Sequence, residues 1–364
     1  MSLNKKNKQP PDWGLIGLTT FFIFVGLVMI ADVSLVQAEV TFGDKFYFLK
    51  RQLVWVILGG SLALIVSRLN YHLWSKIAKI TFLSGLGLLL FVFLPKIGVT
   101  AYGAKRWLNF GFINFQPVEL MKLGVIFFFA KLADREEALP LWQELIFLAM
   151  PVGLILLQPD FGSAVLLISI TAAIWFFGGK NLFGLSTLTV LSIVLGMILI
   201  LSSPYRKQRL MGLLDPFYDP QGKSYHAYQL ALTLGSGGIF GQGMGNSRQK
   251  FQYLPEATTD SIVALIAEEF GFLGITVFVC LFFLLVGRGI SIARNAPDKF
   301  GQVLAGGITA LIAFQGLINL GAVAIVLPLT GMPFPFVSYG GSSLITLLTA
   351  TGILISISRH TSSS

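Results

Sequence analysis

Apolar residues run along this chain in long blocks rather than alternating with polar ones. Stretches rich in Leu, Ile, Val and Phe recur at 13–36, 50–67, 76–94, 117–133, 142–157, 161–178, 181–203, 260–287, 301–327 and 341–358. Each approaches the roughly 20 residues that carry an α-helix across about 30 Å of hydrocarbon. A membrane β-barrel would instead alternate polar and apolar positions residue by residue. The pattern therefore predicts an all-α integral membrane protein of about ten transmembrane helices, whose backbone groups satisfy one another within each segment. Its organisation is a tail at 1–12, a single polytopic membrane domain at 13–358 and a second tail at 359–364.

Composition agrees: of 364 residues 54% are hydrophobic and only 12% charged, far from the balance of a soluble domain. An even number of spans puts both termini on one side. If that side is the cytoplasm, its loops hold Lys5, Lys6, Lys8, Arg68, Lys76, Lys79, Lys131, Arg135, Lys180, Arg288, Arg294, Lys299 and Arg359. The short loops opposite hold only Lys45, Lys50, Arg51, Lys96, Lys105 and Arg106. The positive-inside rule then favours an N-in, C-in topology. The net charge of +9 is accounted for by this anchoring and not by nucleic-acid binding, since no long basic stretch is interleaved with aromatics. The lysine-rich start and Val36-Gln37-Ala38 imitate a signal peptide, but the apolar run between them is too long for one and is read as the first span. Cys280 is the one cysteine, and His72, His226 and His360 are too scattered for a histidine metal site.

Most connections are short, but 204–259 forms one large loop on the outer face, rich in aromatic and aliphatic residues. It contains "GSGGIFGQGMGNSRQK", a glycine-rich turn followed by Arg248 and Lys250. Such a turn can offer amides to a phosphate or can simply be flexible, and it matches neither a Walker loop nor a dinucleotide fingerprint. A second outer loop, "KIGVTAYGAKRWLNFGFINFQPVEL", carries Lys105, Arg106 and Trp107. The tryptophan by itself suits the interfacial aromatic belt.

Ionisable groups inside membrane spans are costly, which makes each a functional candidate. Glu119 and Lys122, three apart, share a helix face and can pair. Asp160 follows a proline between two apolar helices; "FQPVEL" and "LQPDFG" both set Gln-Pro ahead of an acid at an outer helix end. Asp260 opens the eighth span, with Glu268 and Glu269 two turns deeper, and Asp32 lies near the outer end of the first. Placed after Thr258 and Thr259, Asp260 reads equally as a helix cap or as an oriented, ionised reactive group.

Four blocks, "GAKRWLNFGFINFQPVELMKL", "LLQPDFGSAV", the run from "LDPFYDPQGKSYHAYQ" through "QYLPEATTDSIVALIAEEFGFLG", and "PFPFVSYGGSSL", resemble in order and spacing the SEDS family of bacterial membrane proteins, FtsW, RodA and SpoVE. The likeness spans about 13–358, and "GMGNSRQKFQYLPEA" leans toward the FtsW branch. The chain departs from the family at Thr258 and Ser261, where members read His-Thr-Asp-Phe. The resemblance implies a peptidoglycan glycosyltransferase that polymerises lipid II into glycan strands at the outer face of the bacterial cytoplasmic membrane, serving division or elongation. It implies a class B penicillin-binding protein and other division or elongation proteins as partners, with Asp260 as the essential catalytic aspartate.

In that role a carboxylate takes the proton of an attacking sugar hydroxyl. The departing lipid pyrophosphate needs cations, for which Lys105, Arg106, Arg248 and Lys250 are the candidates. A divalent ion could serve instead, and the sequence leaves the cofactor open. Glu119, Lys122, Asp160 and Glu256 are candidates for a polar network shaping the cavity. Two other readings stand beside this one. Charges within spans and proline-broken helices also suit a lipid II flippase, and the chain could be a structural scaffold for a transpeptidase.

Overall fold

The computed structural model describes residues 9–94, 98–101, 104–109, 111, 114–137, 139–201, 211–213, 215–222, 224–247, 249 and 254–360. In chain order the helices are α1 (Trp13–Val33), α2 (Leu35–Phe42), α3 (Tyr47–Arg68), α4 (His72–Phe91), α5 (Pro117–Ala133), α6 (Leu141–Leu157), α7 (Phe161–Phe177) and α8 (Leu182–Leu201). They continue as α9 (Tyr225–Ser236), α10 (Ile262–Arg294), α11 (Lys299–Val323) and α12 (Gly341–Ser358). A helix thus occupies each stretch read as a span, while α2 and α9 are additional. Among the described residues, α1, α3, α4, α10, α11 and α12 are long and apolar enough to cross a membrane; α6 and α7 are apolar but shorter.

The bundle is built around α11 and α12. In each, 78% of the spanning stretch is buried inside the protein, against 22% for α3. α11 packs on α10, α7 and α5, and α12 lies along α3. Small residues let α12 and α3 approach: a Cβ on Gly352 would sit 2.6 Å from the Ala63 carbonyl oxygen. In lipid, where no hydrophobic force drives helices together, such close backbone contact is a main source of packing energy. The outward faces stay apolar, with Phe24, Ile57, Leu64, Ile80, Phe272 and Leu284 all exposed.

Two features depart from the expected simple helices and loops. The loop before α5 folds into a small antiparallel sheet of order β1-β2-β3, made of β1 (Gly98–Ala101), β2 (Ala104–Asn109) and β3 (Asn114–Phe115). Pairing the strands gives their backbone groups partners where the chain leaves the helices.

The second departure is in α10, which is two helices. Gly271 adopts φ 68° and ψ −170°, breaking the axis. The groups freed by the break are taken up by the glycine-rich turn. Gln242 N–H and Gly243 N–H donate to the carbonyls of Glu268 and Glu269, both at 3.0 Å. Phe272 N–H and Leu273 N–H donate to those of Gly238 and Ile239 at 2.9 and 3.2 Å. Irregular backbone at membrane depth persists only where protein satisfies it in this way.

The end of the bundle holding both tails is tied by another cluster. Asp298 caps α11 by accepting from Gly301 N–H at 2.7 Å, and it also accepts from the Tyr71 hydroxyl and lies 3.1 Å from His72 Nε2. Burial first, and Asp298 second, push the Tyr71 hydroxyl well above its ordinary value.

Candidate functional site

At the other end, the turns that precede α10 and α12 meet. Glu256, at φ 51°, starts a tight turn in which its carbonyl accepts from Thr259 N–H at 3.1 Å and from Ser261 N–H at 3.2 Å. Its carboxylate accepts from the Thr259 hydroxyl at 2.9 Å, so this exposed acid braces the turn. Asp260 therefore does not open the helix as the sequence suggested. Ser261 is the N-cap residue, its side chain makes no capping bond, and α10 begins at Ile262. The Ser261 hydroxyl instead donates to the Pro255 carbonyl at 3.0 Å and lies 2.9 Å from His226 Nε2 on α9. The turn spends its hydrogen bonds on its own shape, leaving the half-buried Asp260 one residue ahead of the cap.

The opposite wall is the segment between α11 and α12. A Cβ on Gly331 would come 4.0 Å from Asp260 Oδ2. One on Gly162, in the first turn of α7, would lie 2.9 Å from Thr330 Cβ, so α7 backs this wall directly. Further along, Tyr339 N–H donates to the Thr258 carbonyl at 2.9 Å, and burial pushes the Tyr339 hydroxyl up.

Asp160 is the N-cap of α7, accepting from Ser163 N–H at 3.1 Å and from the Ser163 hydroxyl at 2.8 Å. Arg106, on β2, donates from Nε to the Gln158 carbonyl at 3.1 Å and from a terminal nitrogen to the Pro159 carbonyl. Both carbonyls lie just past the C-terminal end of α6, where a cation complements the helix dipole, so the arginine is anchored where α6 passes into α7. Lys105, its neighbour, is exposed. Arg248 and Lys250 lie outside the described residues.

Glu119 and Lys122 pair as the spacing suggested, Nζ to Oε1 at 2.7 Å, 3% and 2% exposed. Lys122 Nζ also donates to Gln315 Oε1 at 3.2 Å, and Gln315 Nε2 donates to the Pro333 carbonyl at 3.0 Å and to Ser343 Oγ at 3.3 Å. One turn further along α11, Asn319 Nδ2 donates to the carbonyls of Asp260 and Met332, both at 2.8 Å. A continuous polar line thus runs from the buried ion pair through Gln315, the Met332–Pro333 backbone and Asn319 to Asp260. Gln315 and Asn319 were not singled out from the sequence, although two amides four apart in an otherwise apolar helix mark one polar face.

Glu268 and Glu269 serve the glycine-rich turn. Glu268 accepts from the hydroxyls of Ser236, at 3.2 Å, and of Ser247; Glu269 accepts from Gly245 N–H at 3.2 Å. Among the described residues, no three His, Cys, Asp or Glu side chains come together as a metal ion would require.

The FtsW/RodA/SpoVE family of cell cycle proteins matches residues 13–363. The chain belongs to this family. It is 36% identical over 361 residues to stage V sporulation protein E of Bacillus subtilis, covering 97% of this chain and 98% of that protein. Against the probable peptidoglycan glycosyltransferase FtsW of Geobacter metallireducens it is 37% identical over 364 residues, covering 98% and 97%. Among solved structures, the rod shape determining protein RodA of Thermus thermophilus superposes with a TM-score of 0.73 at 27% identity, covering 97% of this chain and 98% of that one. A chain from a structure describing the coordination of polymerization and crosslinking by a peptidoglycan synthase complex superposes with a TM-score of 0.79 at 28% identity, covering 96% and 98%. The membrane-protein fold read from the sequence is the fold of this family.

Proposed function

We propose that this SEDS-family chain is a peptidoglycan glycosyltransferase of the cytoplasmic membrane that polymerises lipid II at the outer face, with Asp260 as general base. The observation that carries this reading is the placement of Asp260. It is a half-buried carboxylate on a turn braced by Glu256 and Thr259, its backbone held from α11 by Asn319, facing a segment with no side chain at Gly331.

In the reaction, the 4-hydroxyl of the acceptor sugar attacks the anomeric carbon of the donor. The bond from that carbon to the lipid pyrophosphate breaks, and the hydroxyl proton passes to the Asp260 carboxylate. The leaving group carries its own charge and needs cations rather than an acid. Lys105, Arg248 and Lys250 are assigned to it. Arg106 has two of its donors on the Gln158 and Pro159 carbonyls between α6 and α7 and offers its remaining face. Glu119 and Lys122 shape the cavity from below through Gln315, Asp160 sets the start of α7, and Glu256 shapes the turn. The likeness to a chain of a peptidoglycan synthase complex supports a penicillin-binding protein partner, of class B in this reading, acting with other division or elongation proteins.

The test is glycan polymerisation from lipid II by the full chain with a class B penicillin-binding protein, with and without divalent ion, comparing wild type with Asp260→Ala. Loss of at least about 100-fold is expected, the scale of a positioned general base. Normal polymerisation by the variant removes Asp260 from the chemistry. Lipid II translocation in vesicles with no polymerisation makes the chain a flippase, and intact division with Asp260→Ala makes it a scaffold.

A further inference from the structure

Asn319 grips both walls of the site. It is 1% exposed, and from a single amide nitrogen it donates to the Asp260 carbonyl on one wall and to the Met332 carbonyl on the other, each at 2.8 Å. Carbonyls are acceptors only, so the two partners fix which end of the amide is nitrogen. The first bond falls on the residue that carries the candidate base. The second falls on Met332, next to Gly331, where an added Cβ would come 4.0 Å from the base's Oδ2. Asn319 therefore sets the separation between the carboxylate and the surface across from it.

The remaining polar atoms are unbalanced. Asn319 Oδ1 is buried with no hydrogen-bond partner among the described residues, and so is Thr330 Oγ1 beside it in sequence to Gly331. A buried acceptor left unpaired costs about as much as one of the two donated bonds returns. A residue kept at so small a net gain is explained by what it positions rather than by what it stabilises.

We propose that Asn319 is a positioning residue for Asp260, clamping the carboxylate-bearing turn to the Thr330–Met332 segment so that the base meets the attacking hydroxyl at a fixed distance. The proposal deepens the glycosyltransferase reading and rests on Asp260 being the base. Gln315, one turn away, shares the helix face but bonds Lys122, Pro333 and Ser343, so it fixes the segment from the ion pair's side.

The experiment replaces the amide by a side chain of similar size that cannot donate, Asn319→Leu, in the full chain with its penicillin-binding partner. Lipid II polymerisation is expected to lose about 10- to 100-fold in kcat, the scale of a misplaced catalytic group, with KM changed less than about threefold. Hydrogen exchange supplies the independent readout. The peptide covering 254–264 should exchange at least about tenfold faster in Asn319→Leu, with peptides of α12 unchanged. If the leucine variant does not fold, Asn319→Asp, which has the same shape without the amide donors, is read in the same way. A kcat within twofold of wild type, or unchanged exchange at 254–264, overturns the proposal. If Asp260→Ala polymerises normally, the base assignment falls while the exchange arm still decides whether the clamp exists.

Discussion

Gly271 and Gly241 meet backbone to backbone: a Cβ on Gly271 would lie 2.2 Å from the Gly241 nitrogen, and one on Gly241 would lie 2.1 Å from the Glu269 carbonyl oxygen. Both residues have positive φ, 68° and 84°. This contact joins the broken α10 to the turn between α9 and Ser247, and through Glu268 to Ser236 and Ser247.

The contact predicts that Gly271→Ala is severely destabilising. Its φ and ψ fall in a region open essentially to glycine alone, at a cost of about 1–3 kcal/mol for other residues. The added methyl also has only backbone to displace. A fall of several degrees in the thermal midpoint of the purified protein is expected, with faster proteolysis between 236 and 247. Gly287→Ala, where a Cβ meets nothing within 4 Å, should leave both unchanged. Equal behaviour of the two variants would contradict the sealed-break account.

How much of this was legible beforehand depended on whether the cause was local. The ten helical stretches were readable because each needs only its own apolar run, but their ends were misjudged where polar residues continue a helix. The eighth span was expected to stop at 287, whereas α10 runs on through Arg288 to Arg294. Glu119 and Lys122 were readable as a pair because both partners lie on one helix. The work of Arg106 was not, since its carbonyl partners are 52 and 53 residues away. Asp260 was singled out by its sequence context, yet the reading of it as a helix cap was wrong, because a helix start fixed by the carbonyl of Glu256 leaves no capping signature. The break at Gly271 was hidden for another reason. Glycine is common in membrane helices, and only the approach of Ile239–Gly241, 30 or more residues earlier, makes this one a hinge point.

The buried Glu119–Lys122 pair yields a double-substitution test. Glu119 Oε2 is buried without a partner among the described residues, so Lys122 is the charge that balances this carboxylate. Lys122→Met strands it and should cost about 3–5 kcal/mol, whereas removing both charges with Glu119→Leu and Lys122→Met should recover most of that loss. Thermal unfolding of the three variants in one detergent measures this. A double variant as unstable as Lys122→Met alone would mean that packing, not charge, sets the cost.

At the opposite end, Asp134 is the C-cap residue of α5. Desolvation there, and next the charge of Asp298, hold its carboxyl above the ordinary 3.8. A carboxyl raised in the folded state keeps its proton more tightly folded than unfolded, so stability falls as pH rises from about 3.8 through the raised value. At neutral pH the ionised group is therefore a small net penalty. Because the residue is exposed, solvent screening keeps that penalty small. Asn keeps the shape of the side chain and removes the charge. Asp134→Asn is expected to raise the thermal midpoint at pH 7 by about 1–2 °C, the scale of a sub-kcal/mol change. The gain should shrink as pH falls toward 4, where wild type regains its proton. A variant less stable than wild type at pH 7, or a gain that grows on acidification, would show that attraction to Lys299 and His72 outweighs the repulsion from Asp298.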